Sequence, residues 1–166
     1  TFTRDGFVPV SSPRALRTDE IPAVVASYSD AARSAMDAGF DGVEVHGANG
    51  YLIDQFLRDS INDRSDEYGG PIANRVRLLF EVMQAVAGAI GGGRTGLRLS
   101  PVTPSNDAGP DSDPQALFEH AVAQLAPLRL ASRICVSRRT THRTFVAIND
   151  DSFDLVVSIF GAMFAL

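Results

Sequence analysis

At 166 residues, with 45% hydrophobic and 21% charged residues, the chain has the composition of a globular domain, not of a disordered segment. Its formal net charge of −5 argues against nucleic-acid and anionic-membrane partners. A single cysteine, Cys135, excludes an internal disulfide, an iron–sulfur cluster or a cysteine-rich zinc site. No apolar run reaches the roughly 18 residues that cross a bilayer, and the N-terminus has no basic–apolar signal pattern. The cytoplasm is the expected compartment.

Residues 1–17 carry Pro9, Pro13 and scattered Ser and Arg without a period, and are expected as an extended surface segment. Thr18 is the expected N-cap of a helix whose first turn holds Asp19, Glu20 and Pro22. Ile21, Val24, Val25, Tyr28, Ala31, Ala32 and Ala35 follow helical spacing, and Gly39 is placed to end the helix. Asp41-Gly42 then turns into a short apolar strand containing Val43 and Val45. A short helix is expected over 51–57, a long functional-type loop over 59–71, and a strong helix over 75–90. Gly91-Gly92-Gly93 breaks that helix, and because it follows a helix it is not a phosphate-binding glycine loop. Thr95 to Pro101 reads as the next strand, residues 102–113 as a polar loop, and Pro114 to Leu128 as a third helix. This alternation predicts parallel strands joined by right-handed crossovers.

Beyond Leu128 the pattern degrades. Arg129, Arg133, Arg138, Arg139 and Arg143 occur with no acid among them, and Ile134-Cys-Val136 is the only candidate strand at the head of this tail. All 15 basic residues of the chain are arginine, and there is no initiator Met. The expected organisation is therefore 1–128 as one folded part and 129–166 as a divergent tail, the product of a frameshift or truncation.

The candidate chemistry gathers where the first strand stops. His46, Asn49 and Tyr51 lie just past its apolar residues, and in α/β proteins the carboxyl ends of the strands are where ligands bind. One reading has His46 and Asn49 donating hydrogen bonds to a substrate oxygen that gains negative charge, with Tyr51 delivering a proton as general acid. The other has His46 as a satisfied core residue and Asn49-Gly50 as a plain turn. Arg98, within the second strand, needs an anionic partner: a cofactor's polar edge, or an ion pair with Glu44 on the neighbouring strand. The charged cluster Arg58-Asp59 and Asn62 to Tyr68 is expected either as solvated surface or as salt bridges that brace the loop from within. Asp107, Asp111 and Asp113 lack a calcium-loop spacing, His120 and His142 are isolated, and no metal is expected.

The run Ala38-Gly-Phe-Asp-Gly-Val-Glu-Val-His46-Gly-Ala-Asn49-Gly-Tyr51-Leu-Ile-Asp-Gln-Phe-Leu-Arg-Asp resembles the old yellow enzyme family of FMN-dependent alkene reductases. So do Asn62-x-Arg64-x-Asp66-Glu-Tyr-Gly-Gly-x-Ile-x-Asn74-Arg75, Pro13-Arg-Ala-Leu-x-Thr-x-Glu-Ile-Pro22 and Gly96-Leu-Arg98-Leu-Ser-Pro101, in the family's order. The resemblance covers about residues 7–128. It implies an α/β fold, part of a (β/α)₈ TIM barrel with about three parallel strands and their helices. A complete barrel typically needs about 250 residues, so the barrel is expected to be incomplete. A related branch with an iron–sulfur centre usually has His at the position of Asn49, so Asn49 and the lone Cys135 favour the simple alkene reductases.

The resemblance also implies a reaction in which NADPH or NADH passes hydride to FMN, and the flavin passes it to an activated alkene such as an enone or nitroalkene. Carried over by motif, His46 and Asn49 bind the substrate's carbonyl or nitro oxygen, Tyr51 is the proton donor, and Arg98, with His46, contacts the flavin. The early strands with the family's flavin-contacting Thr and Gln, and its late phosphate-gripping segment, have no counterpart among these motifs. Activity is accordingly expected to be impaired. The competing expectation is a non-catalytic barrel remnant, or a half-barrel that self-associates through open strand edges.

Overall fold

A computed structural model describes residues 2–4, 6–8, 12–101, 106, 108–135, 146–148 and 156–159. Its N-terminal end is a small antiparallel hairpin of β1 (Phe2–Thr3) and β2 (Gly6–Phe7), where the sequence suggested only an extended segment. The first long helix, α1 (Ile21–Asp37), follows a single 3₁₀ turn over Thr18–Glu20. Thr18 does not cap it. Its hydroxyl donates to Asp66, while the Glu20 carboxylate accepts from the Arg17 amide at 2.7 Å and shields the open N-terminal end. Gly39 follows the helix at φ +90°, a left-handed turn that glycine makes without a Cβ penalty.

Strand β3 (Gly42–Gly47) comes next, then α2 (Leu52–Leu57), α3 (Ile72–Arg75) and α4 (Arg77–Ile90). Strand β4 (Thr95–Leu99) and helix α5 (Pro114–Leu125) complete the second unit; the expected helix to Leu128 ends instead in a 3₁₀ turn over Ala126–Leu128. Asp113 caps α5 by accepting from the Ala116 amide at 3.0 Å. Strands β3 and β4 are parallel neighbours, with His46 opposite Arg98 and Val45 opposite Leu97.

Three further strands lie beyond Leu128: β5 (Ser132–Cys135), β6 (Val146–Ile148) and β7 (Val156–Ile159). The candidate strand at 134–136 thus begins two residues earlier, and Val136 lies outside the described residues. The sheet order is β6-β5-β4-β3-β7, with β5 parallel to β4, β7 parallel to β3, and β6 antiparallel to β5. The outcome is an incomplete α/β barrel whose sheet is not closed on itself among the described residues.

Alternation along the strands separates two faces. Val43, Val45, Leu97 and Leu99 point into a single hydrophobic cluster with Ile21, Tyr28 and Ala32 of α1, Leu78, Leu79, Val82, Met83 and Val86 of α4, and Leu117, Ala121 and Leu125 of α5. Helix α1 packs on α4, and α4 on α5, so the helices share one side of the sheet. Burying each of these aliphatic side chains contributes about 1.5–3 kcal/mol. Glu44, His46 and Arg98 belong to the opposite face, the one that turns inward in a barrel.

Candidate active site

The first strand delivers its polar residues where the sequence places them. His46 is the last inward-facing residue of β3 and is 7% exposed. Its imidazole is held below the ordinary histidine value, first by burial and then by the positive charge of Arg98. Glu44, the Ala48 backbone and Asp54 act in the opposite sense without reversing the result. The ring is therefore neutral at neutral pH. Tyr51 approaches it edge-on, with ring centroids 5.4 Å apart and planes inclined by 67°.

Asn49 lies between them on the turn that leaves the strand. Its φ is +59° and that of Gly50 is +75°, so the turn reading is correct as far as the backbone goes. Asparagine is one of the few side-chain-bearing residues that enter this region readily. The turn also leaves the carboxamide without a hydrogen bond among the described residues. Plain turn and presented amide are the same structure seen at two levels.

Arg98 has the ion pair anticipated for it. Its Nε donates to Glu44 Oε1 at 2.9 Å and its Nη2 reaches Glu44 Oε2 at 3.5 Å. Glu44 is 8% exposed at its side chain, whereas Arg98 is 36% exposed, and Nη1 makes no hydrogen bond among the described residues. The carboxylate fixes one edge of the guanidinium. Arg98 is thus both an ion-pair partner and an available donor.

Beneath the turn lies a buried polar network; of the two expectations for Arg58, solvated surface and loop bracing, the second holds. Asp54 is fully buried and Arg58 is 1% exposed. Arg58 donates from Nε to Asp54 Oδ1 at 3.0 Å, from Nη1 to the Gly109 carbonyl at 3.0 Å and from Nη2 to the Ser100 carbonyl at 2.6 Å. Next to it Arg75 donates to the Gly70 carbonyl at 3.0 Å and to the Leu57 carbonyl and Asp111 carboxylate. The second loop cluster is equally committed: Arg64 pairs with Asp66 and donates to the Leu16 carbonyl at 2.6 Å, and Asn62 donates to the Phe56 and Tyr68 carbonyls. Gly69 must be glycine, since a Cβ there would lie 2.0 Å from the Arg64 carbonyl oxygen.

Sequence reasoning missed Asp54, Ser100 and Asn106 as neighbours of the site. A signal for the first was available: Asp54 and Arg58, four residues apart, are polar on the side of α2 that Ile53 and Leu57 mark as buried. For metal chemistry, the described residues contain no group of three or more ligating side chains. Asp111 is occupied by Arg75 and Asp113 by the α5 cap. Asp107 and His142 lie outside the described residues.

The comparisons agree with this geometry. A sequence profile described as NADH:flavin oxidoreductase / NADH oxidase family matches residues 5–142. A putative 12-oxophytodienoate reductase 6 from Oryza sativa subsp. japonica is 56% identical over 125 residues, covering 75% of this chain and 32% of that protein. A probable flavin mononucleotide-dependent alkene reductase from Leishmania infantum is 56% identical over 126 residues, covering 75% of this chain and 34% of its own length. The chain therefore spans about one third of the curated relatives it matches. A solved old yellow enzyme homologue from Zymomonas mobilis superposes with a TM-score of 0.78 at 45% identity, covering 91% of this chain and 42% of that one. No helix of the described residues is long and apolar enough to cross a membrane. The inward-facing residues, the parallel αβ units and the profile converge: this chain belongs to the NADH:flavin oxidoreductase / NADH oxidase family, whose cofactor is FMN.

Proposed function

We propose that this chain carries the substrate-oxygen and proton-donor side of an FMN-dependent alkene reductase site, built from His46, Asn49, Tyr51 and Arg98. The observation that carries this reading is the pairing of His46 with Arg98 on adjacent parallel strands, with the Tyr51 ring 5.4 Å from His46 at the strand's carboxyl end. The donor set suits a flavin's edge. The outer guanidinium edge of Arg98, beside a neutral imidazole, matches a ring edge that offers carbonyl and imine acceptors. FMN, when bound, supplies the relay that takes hydride from NADPH or NADH and gives it to the alkene carbon.

The chain's own residues do the rest. His46 and Asn49 hold the carbonyl or nitro oxygen and stabilise the negative charge that grows there as hydride arrives. Tyr51 protonates the adjacent carbon, and the edge-on contact with His46 fixes its ring. Arg98, steadied by Glu44, carries the positive charge that favours an electron-rich ring next to it. Residues 1–128 are the flavin-facing part in this reading and 129–166 a divergent tail, in a cytoplasmic protein whose turnover is impaired relative to full-length relatives.

Tyr51→Phe separates the roles. It keeps the ring packing on His46 and removes the hydroxyl that carries the acidic proton. Alkene reduction by the FMN-loaded chain is expected to slow by about 10²–10⁴-fold, with flavin reduction by NADPH unchanged. Equal slowing of both half-reactions would defeat the proton-donor assignment.

A further inference from the structure

The Asn49 backbone is gripped from three directions. The Asn49 amide donates to the Ser100 hydroxyl at 2.7 Å. Its carbonyl accepts from the Asn106 carboxamide at 2.8 Å. The next amide, that of Gly50, donates to Asp54 Oδ2 at 2.8 Å. The first bond fixes the peptide plane before the Asn49 Cα, and the other two fix the plane after it. Rotation between those planes is what φ and ψ describe, so the three bonds together hold Asn49 at +59°.

We propose that Ser100, Asp54 and Asn106 are positioning residues that clamp the Asn49 peptides and thereby set the direction of its carboxamide. The clamp deepens the oxygen-binding reading of Asn49, and its consequence for catalysis rests on that reading. The anchor points are themselves immobilised. Asp54 and Ser100 are fully buried, Arg58 binds the second Asp54 oxygen, and Arg58 also binds the Ser100 carbonyl. Asn106 is different: it is exposed and reaches across from the loop after β4. The turn after one strand is thus oriented by groups at and beyond the end of its neighbour. That arrangement couples the Asn49 amide to Asn106 of the β4–α5 loop. A left-handed asparagine released from such bonds drifts toward the commoner φ below zero, and its amide then points elsewhere.

The test is amide exchange and the intraresidue HN–Hα NOE of Asn49, which is strong at a positive φ, read by NMR on the full chain. Ser100→Ala is expected to speed exchange of the Asn49 amide by about tenfold or more, leaving the Val45 and Leu97 amides unchanged. Ser100→Thr, which keeps the hydroxyl, should restore protection. Asn106→Ala lies on the surface and leaves the core intact, so it should weaken the Asn49 intraresidue HN–Hα NOE at unchanged Tm. Unaltered exchange and an unaltered HN–Hα NOE at Asn49 in both Ser100→Ala and Asn106→Ala would overturn the clamp. Phenol added to the FMN-loaded wild-type chain distinguishes the two readings. Unmoved Asn49 side-chain amide resonances there would contradict the oxygen-binding role, while a rigid Asn49 backbone in the same sample would still support the clamp.

Discussion

Arg58, at the end of α2, and Arg98, within β4, are arginines in contrasting settings. Arg58 is sealed in, and each of its three guanidinium nitrogens is bonded to a protein oxygen. Arg98 has one edge on Glu44, with about a third of its side chain exposed. A saturated guanidinium holds structure, and a half-saturated one keeps donor capacity in reserve. Burial and bond inventory distinguish them; residue type and sequence neighbours do not.

The contrast breaks most visibly at Arg58. Arg58→Ala leaves the Asp54 carboxylate buried without its charge partner and strips donors from the Ser100 and Gly109 carbonyls. A loss of about 3–5 kcal/mol is expected in urea-induced unfolding. A loss below about 1 kcal/mol would mean that water or a shifted side chain takes over, and that the brace is weaker than its geometry.

Arg98→Ala should be milder for the fold and harsher for the ligand. The pair with Glu44 is partly solvated, so about 1–2 kcal/mol of stability is expected to go. FMN binding, followed by quenching of flavin fluorescence, should weaken by about tenfold or more, because the removed edge is the one offered to the ring. If FMN affinity holds and stability collapses, the two arginines share one role.

The smallest effect belongs to a surface pair, and it sharpens the comparison through pH. Glu20 accepts from Arg14 at 2.8 and 2.9 Å and from the Arg17 amide at 2.7 Å. The Arg14 hydrogen bond, first among these, holds its carboxyl at about 2 instead of the ordinary 4.5. A depressed folded value means that the contribution is present above 4.5 and is lost as pH falls toward 2. Tm measured against pH should show wild type above Glu20→Gln at neutrality, with the gap closing through that window. A constant gap would assign the effect to something other than titration.

The αβ units were legible in the sequence because two periods and their punctuation agree. Helical spacing from Ile21 to Ala35 ends at Gly39, and the alternation of Val43 and Val45 with Glu44 and His46 defines which face each residue joins. The pairing of His46 with Arg98 was legible for the same reason, since a strand's alternation places both on one face with Glu44. The cap at Thr18 was misread because its hydroxyl is taken by Asp66, 48 residues away, a competition no local pattern displays. Strands β6 and β7 were not foreseen: they are short and find their partners only on β5 and β3. Ser100 and Asn106 escaped notice because their importance lies in which backbone they meet across the fold.

The central claim is that the inward face of β3 and β4 is built to meet a flavin. Titrating FMN into the purified chain, alongside Arg98→Ala, tests it most directly. The account predicts saturable binding by the wild-type chain, seen as a shifted flavin absorption band, and marked weakening in the variant. A wild-type chain that stays colourless after exposure to excess FMN, or that binds it no better than Arg98→Ala does, would contradict it.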